Sequence, residues 1–104
     1  MDRETLVTAQ RFAKVLKKQM NVNRLMLFGS RARVDNFVTS DFDFVLVSDC
    51  FSGVPFVRRV APLYKLWHSS RDLEVLCYTP EERRKLKDRR GILLNAQDEG
   101  ICLV

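Results

Sequence analysis

The stretch Asp41-Phe42-Asp43-Phe44-Val45-Leu46-Val47 constrains this chain more than any other segment. On an extended strand, residues two apart project from the same face. A strand from Asp41 to Val47 therefore places both carboxylates on one side and turns Phe42 and Phe44 the other way, into a core. The continuous apolar run that follows is what a strand buried at one end requires. Two carboxylates a few ångström apart repel each other unless a cation sits between them. Oxygen-only ligands at that spacing suit Mg²⁺, which takes one or two carboxylates and completes its shell with water and phosphate oxygens.

The rest of the chain supplies partners for such a strand. Leu6, Ala9, Ala13, Leu16 and Met20 recur at helical spacing, with Phe12 broadening the stripe, so the first twenty residues read as an amphipathic helix. Arg24 to Phe28 (RLMLF) reads as a short buried strand that ends at Gly29-Ser30, and Ser30 to Val34 as a short helix. Residues 35–40 and 48–55 read as loops. Phe56 to Trp67 is mainly helical in pattern, with Pro62 expected to interrupt or kink it. Asp72 to Tyr78 (DLEVLCY) is the third strand. In Thr79-Pro80-Glu81-Glu82, Thr79 caps a helix, Pro80 occupies its first turn and Glu82 reaches back as the capping-box partner. That helix runs to about Arg89. A further helical stretch follows from Gly91 to Gln97, and Ile101–Val104 is a possible final strand. The alternation gives an α/β (α+β) fold, a small mixed β-sheet flanked by helices.

The chain of 104 residues fits one domain, residues 1–104, and its 46% hydrophobic content can fill one core. No apolar run approaches the ~20 residues of a membrane span, and no signal-type apolar segment follows the charged first residues. The expected setting is soluble and cytoplasmic, with no membrane partner. Cys50, Cys77 and Cys102 are odd in number and far apart, which fits buried or half-buried free thiols better than a metal site. The single histidine, His68, reads as a surface or helix-end residue. The net charge of +5 favours anionic partners without naming one. The basic run from Arg83 to Arg90 reads as a solvated helix face. Nucleic acid is not an expected partner, since no aromatic-plus-basic RNA motif is present.

Gly29-Ser30 falls where the first strand meets the short helix. Glycine permits close backbone approach to a ligand. The N–H groups that follow favour an anion. Ser30 can add a hydroxyl bond to a terminal phosphate, and Arg31 and Arg33 can neutralise phosphate charge.

Gly29-Ser30, then ten residues, then Asp41-x-Asp43 resembles the motif of the DNA polymerase beta-type nucleotidyltransferase superfamily. The Gly29-Ser30-Arg31-Ala32-Arg33 form resembles the minimal nucleotidyltransferases of prokaryotes, and the likeness covers nearly the whole chain. The resemblance implies a nucleotidyltransferase-like fold and a third carboxylate on a neighbouring strand. Asp72 and Glu74 both qualify; counting back from Tyr78-Thr79-Pro80-Glu81-Glu82, Glu74 best matches the family position and Asp72 would sit at the strand mouth. The family more often carries aspartate there. By the same resemblance, Asp41, Asp43 and Glu74 are the catalytic and metal-binding residues of a two-metal Mg²⁺ site, and Gly29, Ser30, Arg31 and Arg33 bind the nucleotide. The reaction implied is transfer of a nucleoside monophosphate from an NTP, ATP by family, to an acceptor hydroxyl.

Members of that family are often encoded beside a HEPN-domain protein as a toxin–antitoxin pair. The implied role is an antitoxin that adenylylates its HEPN partner on a tyrosine hydroxyl. The alternative is a weakly catalytic or non-catalytic module that neutralises the partner by binding. An RNA-binding or tRNA-end nucleotide-adding fragment is a third class, suggested by the basic charge alone. Ile101–Val104 (ICLV), read as an exposed sheet edge, would offer a pairing surface for a homodimer.

Overall fold

The computed structural model describes residues 2–33, 40–87 and 100–104. Helix α1 spans Arg3–Gln19. It is capped by Asp2, whose carboxylate accepts from the Thr5 amide at 2.7 Å. Strand β1 (Arg24–Phe28) leads through Gly29 into α2 (Ser30–Arg33). Strand β2 covers Phe42–Val47, and β3 covers Leu73–Tyr78. Between them lie two 3₁₀ turns and the short α3 (Ala61–Tyr64). Helix α4 spans Pro80–Lys87, and β4 spans Ile101–Cys102.

The four strands form one mixed sheet in the order β3-β2-β1-β4. β1 runs antiparallel to both β2 and β4, and β2 runs parallel to β3. A parallel pair needs a crossover connection, supplied here by residues 48–72. β2 is therefore a central strand, and five of its six residues are buried; Asp43 is the exception.

The main core lies on one face of the sheet. There Ala9, Phe12, Ala13 and Leu16 of α1 meet Leu25, Leu27, Phe42, Phe44 and Leu46. Phe12, Phe42 and Phe44 are essentially inaccessible; all three meet Trp67 edge-on, Phe12 is tilted against Phe44, and Phe42 and Phe44 are stacked. Each such side chain contributes roughly 1.5–3 kcal/mol by leaving water, enough to fix which face of β2 turns inward. Asp43 is then on the other face, beside a smaller cluster of Met26, Val45 and Val47 that Phe28, Leu76, Tyr78 and Leu86 extend.

Local signals hold where the chemistry is local. Thr79 Oγ1 accepts from the Glu82 amide at 3.2 Å, and Glu82 accepts from the Thr79 amide at 2.8 Å, so the capping box is formed. Several expectations need correction. β2 starts at Phe42 and β3 at Leu73, leaving Asp41 and Asp72 just ahead of their strands. Phe56 to Trp67 is not one kinked helix: Pro62 sits in the first turn of α3, where its missing N–H costs nothing. Leu6 is 43% exposed, and Thr5 is buried in its place. Of the thiols only Cys77 is buried; Cys50 and Cys102 are exposed, and all three are free. His68 is exposed. The expected helix at Gly91–Gln97 lies outside the described residues, as do Val34 of the expected short helix and residues 35–39 of the expected loop. Among the described residues no helix is long and apolar enough to cross a membrane.

Candidate active site

The site is built where β1 ends. Phe28 is the register partner of Asp43 across the antiparallel pair, so the next residue, Gly29, arrives beside the Asp43 side chain. Gly29 has φ +77°, a left-handed conformation that side chains disfavour. A Cβ placed on it would lie 2.5 Å from Asp43 Oδ2 and 3.3 Å from its Cγ. Residue 29 must be glycine on both counts. Its carbonyl accepts from the amides of Ala32 and Arg33, both at 3.2 Å, which closes the single turn of α2. Ser30 opens that turn, so its N–H has no intrahelical acceptor and lies within one residue of the carboxylate.

The parallel ladder delivers the second acid. Glu74 of β3 is the register partner of Asp43, which separates the two candidates for the third carboxylate. Asp72 precedes β3; its carbonyl accepts from the Phe42 amide at 2.9 Å, at the strand mouth. Glu74 and Asp41 are exposed, and Asp43 is half-buried. Burial, first, and then the Glu74 charge and a hydrogen bond between the two carboxyl groups push the Asp43 carboxyl up to about 6. The Asp41 charge adds to this and the Arg33 guanidinium opposes it. At neutral pH the cluster carries more negative charge than its own residues relieve, which is the condition under which a bound cation is favourable.

Of the two arginines expected at the phosphates, the structure turns only one toward this cluster. Residues two apart on a helix do not share a face. Arg33 is exposed, and its charge reaches Asp43. Arg31 points into the main core, 1% exposed, with its guanidinium 4.1 Å from the Phe42 ring centroid. It donates to Thr5 Oγ1 at 2.8 Å and to the Ser40 carbonyl at 3.0 Å, and it lies 3.7 Å from Glu4 and 4.0 Å from Asp2. Arg31 thus ties the turn that carries Gly29 and Ser30 to the residue before Asp41 and to the first turn of α1. Thr5 and Ser40 were not anticipated in this role. A signal for Thr5 exists: 5, 9, 12, 13 and 16 form a better helical stripe than one that begins at Leu6.

The sequence matches the family described as Polymerase beta, Nucleotidyltransferase over residues 10–101. The chain belongs to the polymerase beta nucleotidyltransferase family. A Sulfolobus solfataricus protein assigned as a nucleotidyltransferase, solved as a crystal structure at 1.40 Å resolution, superposes with a TM-score of 0.67. The superposition covers 95% of this chain and 78% of that one at 19% identity, a likeness of fold. No curated protein sequence matches the chain.

A nucleotidyltransferase domain of this kind takes a divalent metal, and the donor set can be tested against one. Among the described residues, no three His, Cys, Asp or Glu side chains converge into a closed metal cage. Mg²⁺ rarely asks for one; it is held by one or two carboxylates, with water and substrate phosphates completing the shell. Asp43 and Glu74, side by side, with Asp41 at the rim, fit that requirement. A concavity of about 620 Å³ between α1 and β4, flanked by Lys14 and Lys17, lies elsewhere.

Proposed function

We propose that this domain transfers a nucleoside monophosphate from an NTP to an acceptor hydroxyl, releasing pyrophosphate. The observation that carries the reading is the placement of Asp43: register partner of Glu74, and in contact with the one backbone position, Gly29, that opens a phosphate-facing turn. Gly29 and Ser30 hold the triphosphate through backbone and hydroxyl donors. Arg33 offsets its charge from the exposed side of α2. Asp43 and Glu74, with Asp41 beside them, would hold Mg²⁺, which would supply charge neutralisation and lower the acceptor pKa.

The acceptor oxygen bonds to the α-phosphorus, the bond to the bridging oxygen breaks, and pyrophosphate departs. Glu74, the more exposed of the paired acids, takes the hydroxyl proton. Most of the catalysis is positioning and charge stabilisation.

The resemblance to minimal nucleotidyltransferases supports ATP as donor and a HEPN-domain protein as acceptor. Incubation of the chain with α-³²P-labelled NTPs, Mg²⁺ and the protein of the adjacent gene tests this. Label moves to the partner with wild type and not with Asp41→Ala/Asp43→Ala. Tight complex formation by both versions with no label would leave a stoichiometric binding module instead.

A further inference from the structure

The face of the sheet that carries Asp43 has a second charged feature at its far end. Along β1, residues 24, 26 and 28 share that face, as alternation requires. Phe28 flanks Asp43, Met26 lies in the small cluster, and Arg24, register partner of Val47, stands about 13 Å from Phe28 by strand rise. Helix α4 approaches the same face, with Leu86 packed against the Met26, Val45 and Val47 cluster. Arg83, one turn earlier, looks the same way. Its Nε is buried and has no hydrogen-bond partner among the described residues. On the other side of Arg24 lies Cys102 of β4, whose Sγ is 3.7 Å from Arg24 Nη1.

The Arg24 charge reaches Arg83, and no acid among the described residues pairs with either guanidinium. Among the described residues, the other arginines held inside the fold are answered by carboxylates: Arg31 by Glu4 and Asp2, Arg59 by Glu82, Arg71 by Glu4. A buried guanidinium N–H left unpaired is destabilising, and the neighbouring like charge adds to that cost. Burial first, then the Arg24 charge, hold the Arg83 guanidinium below its ordinary range. A ligand with two or more acceptor oxygens and negative charge removes both penalties at once. Two planar forks match the several oxygens of a phosphate group better than the two of a carboxylate.

We propose that Arg24 and Arg83 form a phosphate-binding site at the end of the sheet remote from Gly29, bordered by the Cys102 thiol. It is separate from the triphosphate position at Gly29 and Ser30 and does not depend on the transfer reaction. The phosphate is either a monoester of a small molecule or a diester of a nucleic-acid strand.

Cys102 is the reporter. The full-length chain is alkylated with iodoacetamide in divalent-free buffer, and modification of each cysteine is followed by peptide mass spectrometry. The probes are 10 mM inorganic phosphate and, separately, a single-stranded oligonucleotide of mixed sequence, each against sodium chloride at equal ionic strength. Either probe slows Cys102 alkylation about fivefold or more, as occupancy of a site of low-millimolar affinity or better would, while exposed Cys50 changes less than about twofold. Arg24→Gln and Arg83→Gln each remove the protection; Arg24 is exposed, so its substitution leaves folding intact. Protection by phosphate alone assigns a monoester, and protection by the oligonucleotide alone a diester. Absence of protection by both probes, or undiminished protection in either variant, overturns the proposal.

Discussion

Gly29 and Asp43 are in contact through a space that holds no side chain: a β-carbon on residue 29 would lie 2.5 Å from Asp43 Oδ2. Gly29→Ala must therefore displace the carboxylate as well as strain a backbone at φ +77°. The strain costs about 1–2 kcal/mol. A displacement near 1 Å at the reacting centre lowers the transfer rate roughly 10²-fold. Thermal melts and single-turnover label transfer separate the two effects. A variant that melts lower yet turns over normally would contradict the contact.

Arg31 predicts the opposite balance. Removing its guanidinium with Arg31→Met takes away the donor to Thr5 Oγ1 and to the Ser40 carbonyl and one of the cations beside Glu4. The expected loss is about 2–4 kcal/mol, seen as a drop of ten degrees or more in Tm. Arg31→Lys does not restore it, because a single ammonium cannot serve two acceptors set by a planar fork. A surviving fold whose NTP affinity alone falls would return Arg31 to the phosphates.

This residue also marks where sequence reading stops. Strands at RLMLF, DFDFVLV and LEVLCY, the cap at Thr79 and the Gly29-Ser30 turn were all legible, because period-two alternation and capping are local. Arg31 was not, since its partners, Thr5 and Ser40, are brought together by tertiary packing alone. Glu74 was favoured over Asp72 by its distance from the Thr79 helix start, but its place beside Asp43 comes from the register of β3 with β2. The segment from Phe56 to Trp67 misled because Pro62, read as a break, instead starts α3.

Asp43 sets a stability cost that the divalent site would relieve. Its carboxyl, raised to about 6, binds a proton more tightly folded than unfolded. Its contribution is therefore fully present below its unfolded value near 4 and is lost as pH rises through about 6. In EDTA, Tm should fall across that interval. Asp43→Asn should remove the fall and melt higher than wild type at pH 7.5 while abolishing transfer, and Mg²⁺ should raise Tm for wild type and not for the variant. Equal melts of the two proteins at pH 7.5 would contradict an uncompensated charge at this position.

At the acid end the sign reverses. The Arg59 guanidinium, hydrogen-bonded at 2.5 and 3.1 Å, holds the Glu82 carboxyl below its ordinary value. Its contribution is present above the unfolded value near 4.5 and is lost as pH falls through the lower, folded value. Glu82→Gln should flatten the acid unfolding limb below about pH 4.5 and destabilise the protein at neutral pH, since Arg59 is 7% exposed and loses its carboxylate. Thr79→Ala, which removes only the cap, should cost about 1 kcal/mol and leave the acid limb in place.

The central claim is that Asp43 and Glu74 form the reacting pair. The most direct test is Mg²⁺-dependent single-turnover transfer from labelled NTP, compared across Asp43→Asn, Glu74→Gln and Asp72→Asn. The account predicts losses of roughly 10³-fold or more for the first two, and a rate within about threefold of wild type for Asp72→Asn, whose carboxylate stands ahead of the strand. Loss of transfer in Asp72→Asn with full activity in Glu74→Gln would contradict it.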